Sequence, residues 1–162
     1  MKNLLIIGAG QFGSVVEDIA ISLNEFSRIE FLDDNSEKAI GKVENLRDFS
    51  GEFTHCIVAI GNAVIRKAFL EKAQAEGFST EPLISPKAFC SPSARLGDGT
   101  IIEPMAVVNA NAVLGKGCIV SAGGVVNHNA ILGDFSQVDC NATVSARAVV
   151  EENKKIPCGE VI

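Results

Sequence analysis

The sequence predicts two modules, an α/β domain over residues 1–82 and a parallel β-helix over residues 83–162. Three observations predict this architecture. Up to about residue 82, short apolar runs alternate with stretches of helical periodicity, which is typical of a parallel α/β sheet. Beyond that point aliphatic residues recur every six positions, which is typical of a β-helix. Most of the charged residues also fall in the first module.

The first module begins with a strand that leads into a glycine-rich turn. The apolar run Leu4–Ile7 has the pattern of a buried parallel strand, and Gly8–Gly13 follows as a G-x-G-x-x-G turn. A helix is predicted from this turn to about Asn24, because apolar residues then recur at helical spacing. A second strand is predicted over Arg28–Leu32.

The rest of the first module repeats this strand–helix order. A third strand is predicted over Thr54–Ile60 and a helix over Asn62–Glu76, with Gly77 as its C-cap. Alternation of strands and helices predicts a parallel sheet, whose carboxyl edge is where open α/β sheets bind ligands.

The glycine turn and the acidic pair after the second strand form the first candidate binding site. Gly8 and Gly10 let backbone N–H groups approach an anion, and Asp33, followed by Asp34, lies 20 residues beyond Gly13. At that spacing an acid meets a ribose hydroxyl in nucleotide-binding folds. Because the module holds only half of a dinucleotide-binding fold, a mononucleotide or nucleotide-sugar fits better than NAD. The alternative is that the glycines only permit a tight turn and close packing.

A second candidate site follows the third strand, where Gly61 and Asn62 lead into the next helix. Arg66, one turn into that helix, is in position to reach a phosphate at the carboxyl edge of the sheet. The alternative is a solvated charge, with Asn62 as the helix N-cap.

The second module carries a hexapeptide repeat without insertion. Its positions hold thirteen aliphatic residues and one cysteine: Ile84, Cys90, Leu96, Ile102, Val108, Leu114, Val120, Val126, Leu132, Val138, Val144, Val150, Ile156 and Ile162. We expect three hexapeptides to form one triangular coil with these side chains inside, which gives a little over four coils. Val108, Val126 and Val144 should then share one interior column.

A second register, four residues further along, carries small side chains where the chain must bend between faces. They are Ala88, Ala94, Thr100, Ala106, Ala112, Cys118, Gly124, Ala130, Ser136, Ala142 and Ala148. The register fails only at Lys154 and Glu160.

Composition and charge exclude several classes of function. The net charge of −6 argues against a nucleic-acid partner. Five cysteines without paired spacing predict reduced thiols in a cytoplasmic protein. No apolar run is long enough for a membrane span, and no signal-peptide pattern is present. Only two histidines are present, one in each module, so a zinc site with three His ligands is excluded and no metal is expected.

His128 is the candidate catalytic residue. It occupies the third position of its hexapeptide, so its ring should point away from the aliphatic interior. Imidazole titrates near neutral pH and can accept a proton from a hydroxyl or amine nucleophile. The alternative is an exposed turn histidine without a role. His55 lies in an otherwise apolar strand and is expected to be structural.

Several motifs of the chain together match the pattern of a known family. They are the Gly8–Gly10 turn, Phe31–Asp34, Ala59–Asn62 with Arg66, Ile84–Pro86, and above all Val126–Asn129 followed by Ile131–Ser136. On these residues, and over nearly its whole length, the chain resembles the NeuD/PglD-like sugar O- and N-acyltransferases of the hexapeptide-repeat superfamily. This resemblance implies a Rossmann-like first module that binds a sugar or nucleotide-sugar acceptor, and a left-handed β-helix as the second. It also implies a homotrimer with acetyl-CoA bound between neighbouring prisms.

The same resemblance implies roles for individual residues. His128 would be the general base with Asn129 beside it, and backbone amides of the coils would polarise the thioester carbonyl. The acceptor would be bordered by Gly8, Gly10, Asp33, Asp34, Asn62 and Arg66. The CoA site would include Gly133, Gln137 and Ala146.

We therefore expect an acyl-CoA-dependent transferase, using acetyl-CoA, that acts on an amino or hydroxyl group of a sugar or nucleotide-sugar. The alternative is a trimeric nucleotide-sugar or metabolite binder of the same fold with impaired catalysis. Asn129 stands where the family usually has an acid, and Gln137 where many members have a second His. The sequence also has fewer of the late coils that contact CoA in such proteins. These three differences favour the alternative.

Overall fold

The computed structural model describes residues 2–162 and divides the chain into two compact units between Glu81 and Pro82. The division falls one residue before the boundary expected from the sequence. Among the described residues, no helix is both long and apolar enough to span a bilayer.

The first unit is a three-stranded parallel sheet with two helices. Its elements are β1 (Lys2–Ile7), α1 (Gln11–Leu23), β2 (Phe26–Leu32), a 3-10 segment (Val43–Phe49), β3 (His55–Val58) and α2 (Ala63–Ala75). The strand order is β2-β1-β3, and Leu5 of the central strand pairs with Glu30 and Cys56. Leu5, Ile6 and Ile7 are fully buried, as a continuous apolar run in a central parallel strand predicts.

The element boundaries follow local signals. Helix α1 ends before Asn24, which has a left-handed backbone (φ 54°) that Asn tolerates better than most residues. Helix α2 begins after Asn62, and Gly77 lies one residue beyond its C-cap with φ 85°. Strand β2 begins at Phe26, two residues before the prediction, because register with β1 extends back to Lys2.

The second unit consists of thirteen two-residue strands in three parallel stacks. One stack holds β4 (Leu83–Ile84), β7 (Ile101–Ile102), β10 (Ile119–Val120), β13 (Gln137–Val138) and β16 (Lys155–Ile156). A second holds β5 (Phe89–Cys90), β8 (Val107–Val108), β11 (Val125–Val126) and β14 (Thr143–Val144). The third holds β6 (Arg95–Leu96), β9 (Val113–Leu114), β12 (Ile131–Leu132) and β15 (Val149–Val150). The stacks are the three faces of the predicted prism.

Each interior column is built by pairing residues 18 positions apart. Val126 pairs with Val108 on one coil and Val144 on the other, and all three are fully buried. This column is confirmed. The small residues between the faces are buried in the middle coils, with Ala112 and Ala130 at 0% exposure, and partly buried at Ala88, Ala94 and Ala148. Ile162 is 38% exposed, because no further coil covers it in the described chain.

A third register, three residues after each interior position, has a left-handed backbone at every corner from residue 99 to residue 159. Its members are Gly99, Met105, Asn111, Gly117, Gly123, Asn129, Phe135, Asn141, Arg147, Asn153 and Gly159, with φ between 56° and 71°. Gly and Asn adopt this conformation at the lowest cost, and they hold eight of the eleven positions. This Gly/Asn periodicity is a sequence signal that the two-register interpretation overlooks.

We expect Met105→Asn to raise the free energy of unfolding by about 1 kcal/mol, because Asn relieves the cost of a left-handed backbone. Met105 has φ 64° and is 70% exposed, so its replacement forfeits little packing. The matched control is Met105→Ala, which keeps a Cβ without the conformational preference and should give no gain. Urea unfolding of the three proteins decides the matter, and equal gains for Asn and Ala would contradict the explanation.

Candidate functional site

The carboxyl edge of the sheet brings three loops of the first unit together. The glycine turn follows β1, the Asp33–Asp34 pair follows β2, and the Ile60–Asn62 loop follows β3. The three strands are parallel, so these loops leave the sheet on the same side. The sequence predicted a ligand site at this edge.

Two glycines of the turn are required by close packing of the chain. Gly8 has φ 106°, and a Cβ added there would lie 2.8 Å from the carbonyl oxygen of Ala59. A Cβ on Gly13 would overlap the carbonyl oxygen of Gly8. Gly10 differs, because a Cβ on it would meet no atom within 4 Å. Steric demand therefore explains Gly8 and Gly13, while the space beside Gly10 stays open to a ligand.

Asp33 joins the glycine turn to the loop after β2. One carboxylate oxygen accepts a hydrogen bond from the Ala9 N–H at 2.8 Å, and the other accepts from the Asn35 N–H at 2.8 Å. The Ala9 bond foremost, and then the Asn35 bond, hold the pKa of Asp33 below its usual value. The carboxylate is therefore charged at neutral pH, and it fixes the shape of the loop edge.

Clefts at this edge are lined by most of the predicted acceptor residues. A cleft of about 230 Å³ is lined by Gly8, Asp33, Asp34, Asn35, Val43, Ile60, Ile65 and Phe69. A more open groove alongside it is lined by Ala9, Gly10, Asp33, Asn35, Ser36, Glu37 and Lys38. The groove is bordered by the polar residues Ser36, Glu37 and Lys38, whereas the cleft is bordered by the apolar residues Val43, Ile60, Ile65 and Phe69.

Asn62 and Arg66 form hydrogen bonds with backbone groups at the loop after β3, and they line neither of these clefts. The Asn62 side chain accepts a hydrogen bond from the Ile65 N–H at 3.1 Å and caps α2, as the alternative interpretation held. Arg66 is only 1% exposed, and its guanidinium donates to the carbonyl oxygens of Ile60 and Gly61, both at 2.8 Å. Its charge is buried under the loop, where it sets the loop's conformation.

His55, expected to be structural, is largely buried in β3. Its ring packs edge-on against Phe26 and is hydrogen-bonded to the Thr54 hydroxyl at 2.7 Å. Burial, with a smaller contribution from Lys2, lowers the pKa of His55. The residue is therefore neutral at pH 7 and belongs to the sheet.

His128 lies exposed at the corner between β11 and β12. The residues one coil to either side of it are Ala110 and Ala146, whose small side chains leave the ring accessible. The backbone at this corner is fixed: the His128 N–H donates to the Asn127 side-chain oxygen at 2.8 Å, and that oxygen also accepts from Asn109 at 3.2 Å. The imidazole is therefore exposed at a corner whose backbone is held by hydrogen bonds to the Asn127 side chain.

The backbone conformation beside His128 favours a short side chain. Asn129 occupies the left-handed register with φ 58°, as do Asn111, Asn141 and Asn153 at other corners. Asn and Asp adopt this conformation more readily than longer side chains such as Glu. The turn therefore accounts for a short polar side chain at this position, but it does not distinguish an amide from a carboxylate.

Asn129 also contacts the ring, with its amide nitrogen 3.1 Å from Nδ1 of His128. An amide nitrogen can only donate, so Nδ1 accepts in this arrangement and the neutral ring carries its proton on Nε2. A half-turn of the amide places the oxygen there instead, which holds a proton on Nδ1 and leaves Nε2 with a free lone pair. The orientation of one amide therefore selects whether Nε2 can act as a base.

The three residues predicted at the CoA site lie on different parts of the prism. Ala146 shares the corner of His128, one coil away. Gln137 is in β13, nine residues and thus half a coil from His128, so it belongs to another face. Gly133 is at the corner after β12, where a Cβ would overlap the backbone of Glu151 and Glu152 on the next coil, so stacking explains that glycine.

Comparisons with known proteins agree with both units. The PglD N-terminal domain family matches residues 3–73. A curated relative is the UDP-N-acetylbacillosamine N-acetyltransferase of Bacillus subtilis (strain 168), 29% identical over 112 residues that make up 63% of this chain and 51% of that protein. The chain thus matches about half the length of this curated relative.

Solved structures extend the likeness to the whole chain. The acetyltransferase domain of PglB from Neisseria gonorrhoeae FA1090, solved with acetyl coenzyme A, is 32% identical with a TM-score of 0.86, over 99% of this chain and 90% of that one. A perosamine N-acetyltransferase variant from Caulobacter crescentus, solved with CoA and GDP-perosamine, is 21% identical with a TM-score of 0.85, over 100% and 89%. The second likeness concerns the fold alone. Together they confirm the predicted Rossmann-like half domain followed by a left-handed β-helix.

We expect Asp33→Asn to lower the free energy of unfolding at pH 7 by about 1 kcal/mol, a discounted value because the carboxylate is partly exposed. The folded-state pKa of Asp33 is lowered, so its stabilisation is present above the unfolded pKa, near 4, and is lost as the pH falls through the folded value. The difference in free energy of unfolding between wild type and Asp33→Asn should therefore become smaller below about pH 4.

Urea unfolding of the full chain between pH 7 and pH 3 measures this difference. The matched control is Asp18→Asn, which removes an exposed carboxylate on α1. It should have little effect across this range. A constant Asp33→Asn deficit at every pH would show that the charged hydrogen bonds do not stabilise the loop edge.

Proposed function

This chain belongs to the NeuD/PglD-like family of sugar acyltransferases, and from that membership we propose that it transfers the acetyl group of acetyl-CoA to an amino group of a nucleotide-linked sugar. The membership, predicted from the sequence, is confirmed by 32% identity over 99% of the chain to the gonococcal acetyltransferase domain. The observation that carries the proposed reaction is His128, the exposed imidazole at an Ala-flanked corner of the β-helix.

The proposed acceptor follows from the relatives and from the clefts of the first unit. Two of the relatives named above are N-acetyltransferases, and one of these two was solved with a GDP-linked sugar. In this chain the clefts at the carboxyl edge of the sheet offer Gly10, Asp33 and Asp34 to the nucleotide part of such an acceptor. A half-length Rossmann-like unit is large enough for one nucleotide and too small for two.

In the proposed reaction, the acceptor amine attacks the thioester carbonyl carbon of acetyl-CoA while Nε2 of His128 takes a proton from the nitrogen. The resulting tetrahedral oxyanion is stabilised by backbone N–H groups of the coils. Collapse breaks the carbon–sulfur bond, and the CoA thiolate leaves with the proton that the imidazolium returns. The products are the acetamido sugar and CoA, and His128 regains its starting state.

Asn129 is the positioning residue in this mechanism. Nε2 accepts the amine proton only when Nδ1 holds the ring proton, which requires the Asn129 side-chain oxygen to face Nδ1. A neutral amide can select this tautomer by hydrogen bonding but adds no charge to stabilise the imidazolium. The site should therefore work with a weaker orienting partner than a carboxylate.

We assign the active form to a homotrimer, with the CoA site between protomers. Gln137 and His128 lie half a coil apart on different faces of one prism, so they can share a site only when two copies meet. Large apolar side chains are exposed on the two faces that flank the His128 corner: Phe89 (55%), Val161 (67%), Ile131 (46%) and Val149 (69%). Apolar patches of this kind support an interface beside the proposed base.

A nucleotide-sugar binder that has lost acetyl transfer remains the second candidate. Gln137, in place of a second histidine, favours it. Asn129 favours it as well, because an amide adds no charge to stabilise the imidazolium. A binder would take up the nucleotide-sugar in calorimetry and show neither CoA binding nor turnover.

We expect His128→Ala to lower kcat/KM for acetyl-CoA-dependent acetylation by about 10²–10⁴-fold, because a general base contributes that range to rate. The assay follows CoA release with a panel of UDP- and GDP-linked amino sugars, with the corresponding hydroxyl sugars included to test oxygen as the acceptor. His128→Gln serves as a second variant, because it keeps a polar side chain at the corner without a base. CoA affinity in both variants should stay within about threefold of wild type.

Turnover of wild type with equal rates in both His128 variants would remove this residue from the mechanism. Absence of turnover and of CoA binding in the wild type would favour the binder.

We expect Asn129→Gly to lower kcat about tenfold, because it keeps the left-handed backbone but removes the group that selects the tautomer. Asn129→Asp should retain activity and move the acid limb of the pH–rate profile to higher pH, since a carboxylate stabilises the imidazolium. The control is Asn141→Gly, the same change in the same register at a corner remote from His128, which should leave kcat unchanged. An unchanged pH profile in Asn129→Asp would mean that this side chain does not orient the ring.

A further inference from the structure

A second group of reactive side chains lies at a corner of the β-helix that the proposed acetyl transfer does not use. Asp139 and Cys140 follow β13, and Cys158 follows β16 one coil later. One carboxylate oxygen and the two thiol sulfurs all lie within 4.8 Å of one another. Among residues 2–162, this is the one group of three or more such ligands that converges in this way.

The helical repeat places the two thiols side by side. Cys140 and Cys158 are 18 residues apart, and the strands before them are in register through Val138 and Ile156. The corner is held on both sides, since the Asp139 N–H donates to the Ile156 carbonyl at 3.0 Å and the Gly159 N–H donates to the Cys140 carbonyl at 3.0 Å. The cysteine side chains therefore leave adjacent coils in the same direction.

The donor set selects a class of metal ion. Two sulfur ligands and one carboxylate suit a borderline-soft divalent cation such as Zn²⁺, whereas Mg²⁺ and Ca²⁺ prefer oxygen alone. Tetrahedral zinc with bonds of about 2.0–2.3 Å needs its ligand atoms a little under 4 Å apart. Small rotations of these three side chains bring ligand atoms that lie within 4.8 Å of one another to that spacing.

Charge at this corner is compatible with the ion. The Lys155 ammonium lies 2.9 Å from Asp139, and its side chain is 59% exposed, so it can shift into solvent as the carboxylate turns to a metal. A divalent cation with two thiolates and one carboxylate has a net charge of −1. The neighbouring ammonium offsets that charge. Asp139 and Cys140 are only partly buried and Cys158 is exposed, so an ion has access to all three.

From this convergence we infer that Asp139, Cys140 and Cys158 form a binding site for a thiophilic divalent cation of the Zn²⁺ class, with water in the fourth position. Binding replaces the two thiol protons, which pass to solvent, by two metal–sulfur bonds. The ion then links the coil that contains β13 to the one that contains β16. This link adds to the backbone pairing that holds the last coil, and it is independent of the acetyl-transfer site.

The test titrates Co²⁺ and then Zn²⁺ into the full-length protein, kept reduced by a phosphine. We expect thiolate-to-cobalt charge-transfer absorbance that saturates at one equivalent per chain and disappears when Zn²⁺ is added. Cys140→Ser, Cys158→Ser and Asp139→Asn should each weaken Zn²⁺ binding, on the order of 100-fold for the cysteines. The control Cys90→Ala removes a thiol from another part of the β-helix and should bind as wild type does.

A second readout separates ligation from misfolding. Zn²⁺ should raise the Tm of the wild type and of Cys90→Ala, and leave the Tm of Cys158→Ser unchanged, while all of them keep the same circular dichroism without metal. Absorbance of equal strength in the Cys140→Ser/Cys158→Ser double variant would overturn the proposal. So would a reduced wild type that binds no Co²⁺ at millimolar concentration, whether or not the same two thiols form a disulfide once the phosphine is removed.

Discussion

Backbone pairing between coils 18 residues apart is the constraint on which the second unit depends. Every two-residue strand is in register with the equivalent strand of the next coil, so each side chain lies against its counterpart. Aliphatic residues must then stack on aliphatic residues, small residues on small ones, and left-handed corners on left-handed corners. A change at any one position is felt by its neighbours in the column, because interiors of this kind have no spare volume.

The same stacking determines the chemistry of the corners. His128 and Cys140 each come two residues after an interior position, and neither is buried, so neither side chain belongs to the packed columns. The His128 corner uses this freedom to present an imidazole flanked by small residues, and the Asp139–Cys140 corner uses it to bring two thiols together across one coil. Reactive groups on a β-helix are thus placed with the accuracy of the backbone beneath them.

In the first unit the equivalent constraint is the hydrogen bonding that joins its loops. Asp33 ties the glycine turn to the loop after β2, and Arg66 holds the loop after β3 from below. Both side chains are charged, and both form hydrogen bonds to backbone groups of these loops. In the proposed function, the acceptor would meet loop backbone together with Gly10 and Asp34, which line the openings at this edge.

The sequence by itself determined the interior ladder, the strand order of repeats, the two modules and the exposed histidine, because period six and apolar runs encode local geometry directly. It did not determine the roles of Arg66 and Gly133, which depend on neighbours distant in sequence: a buried loop in one case, the next coil in the other. Nor did it show that Asn129 occupies a left-handed corner and contacts the His128 ring. Only the tertiary structure decided that, because a backbone angle and a 3.1 Å side-chain contact depend on how the coils stack and not on residue spacing.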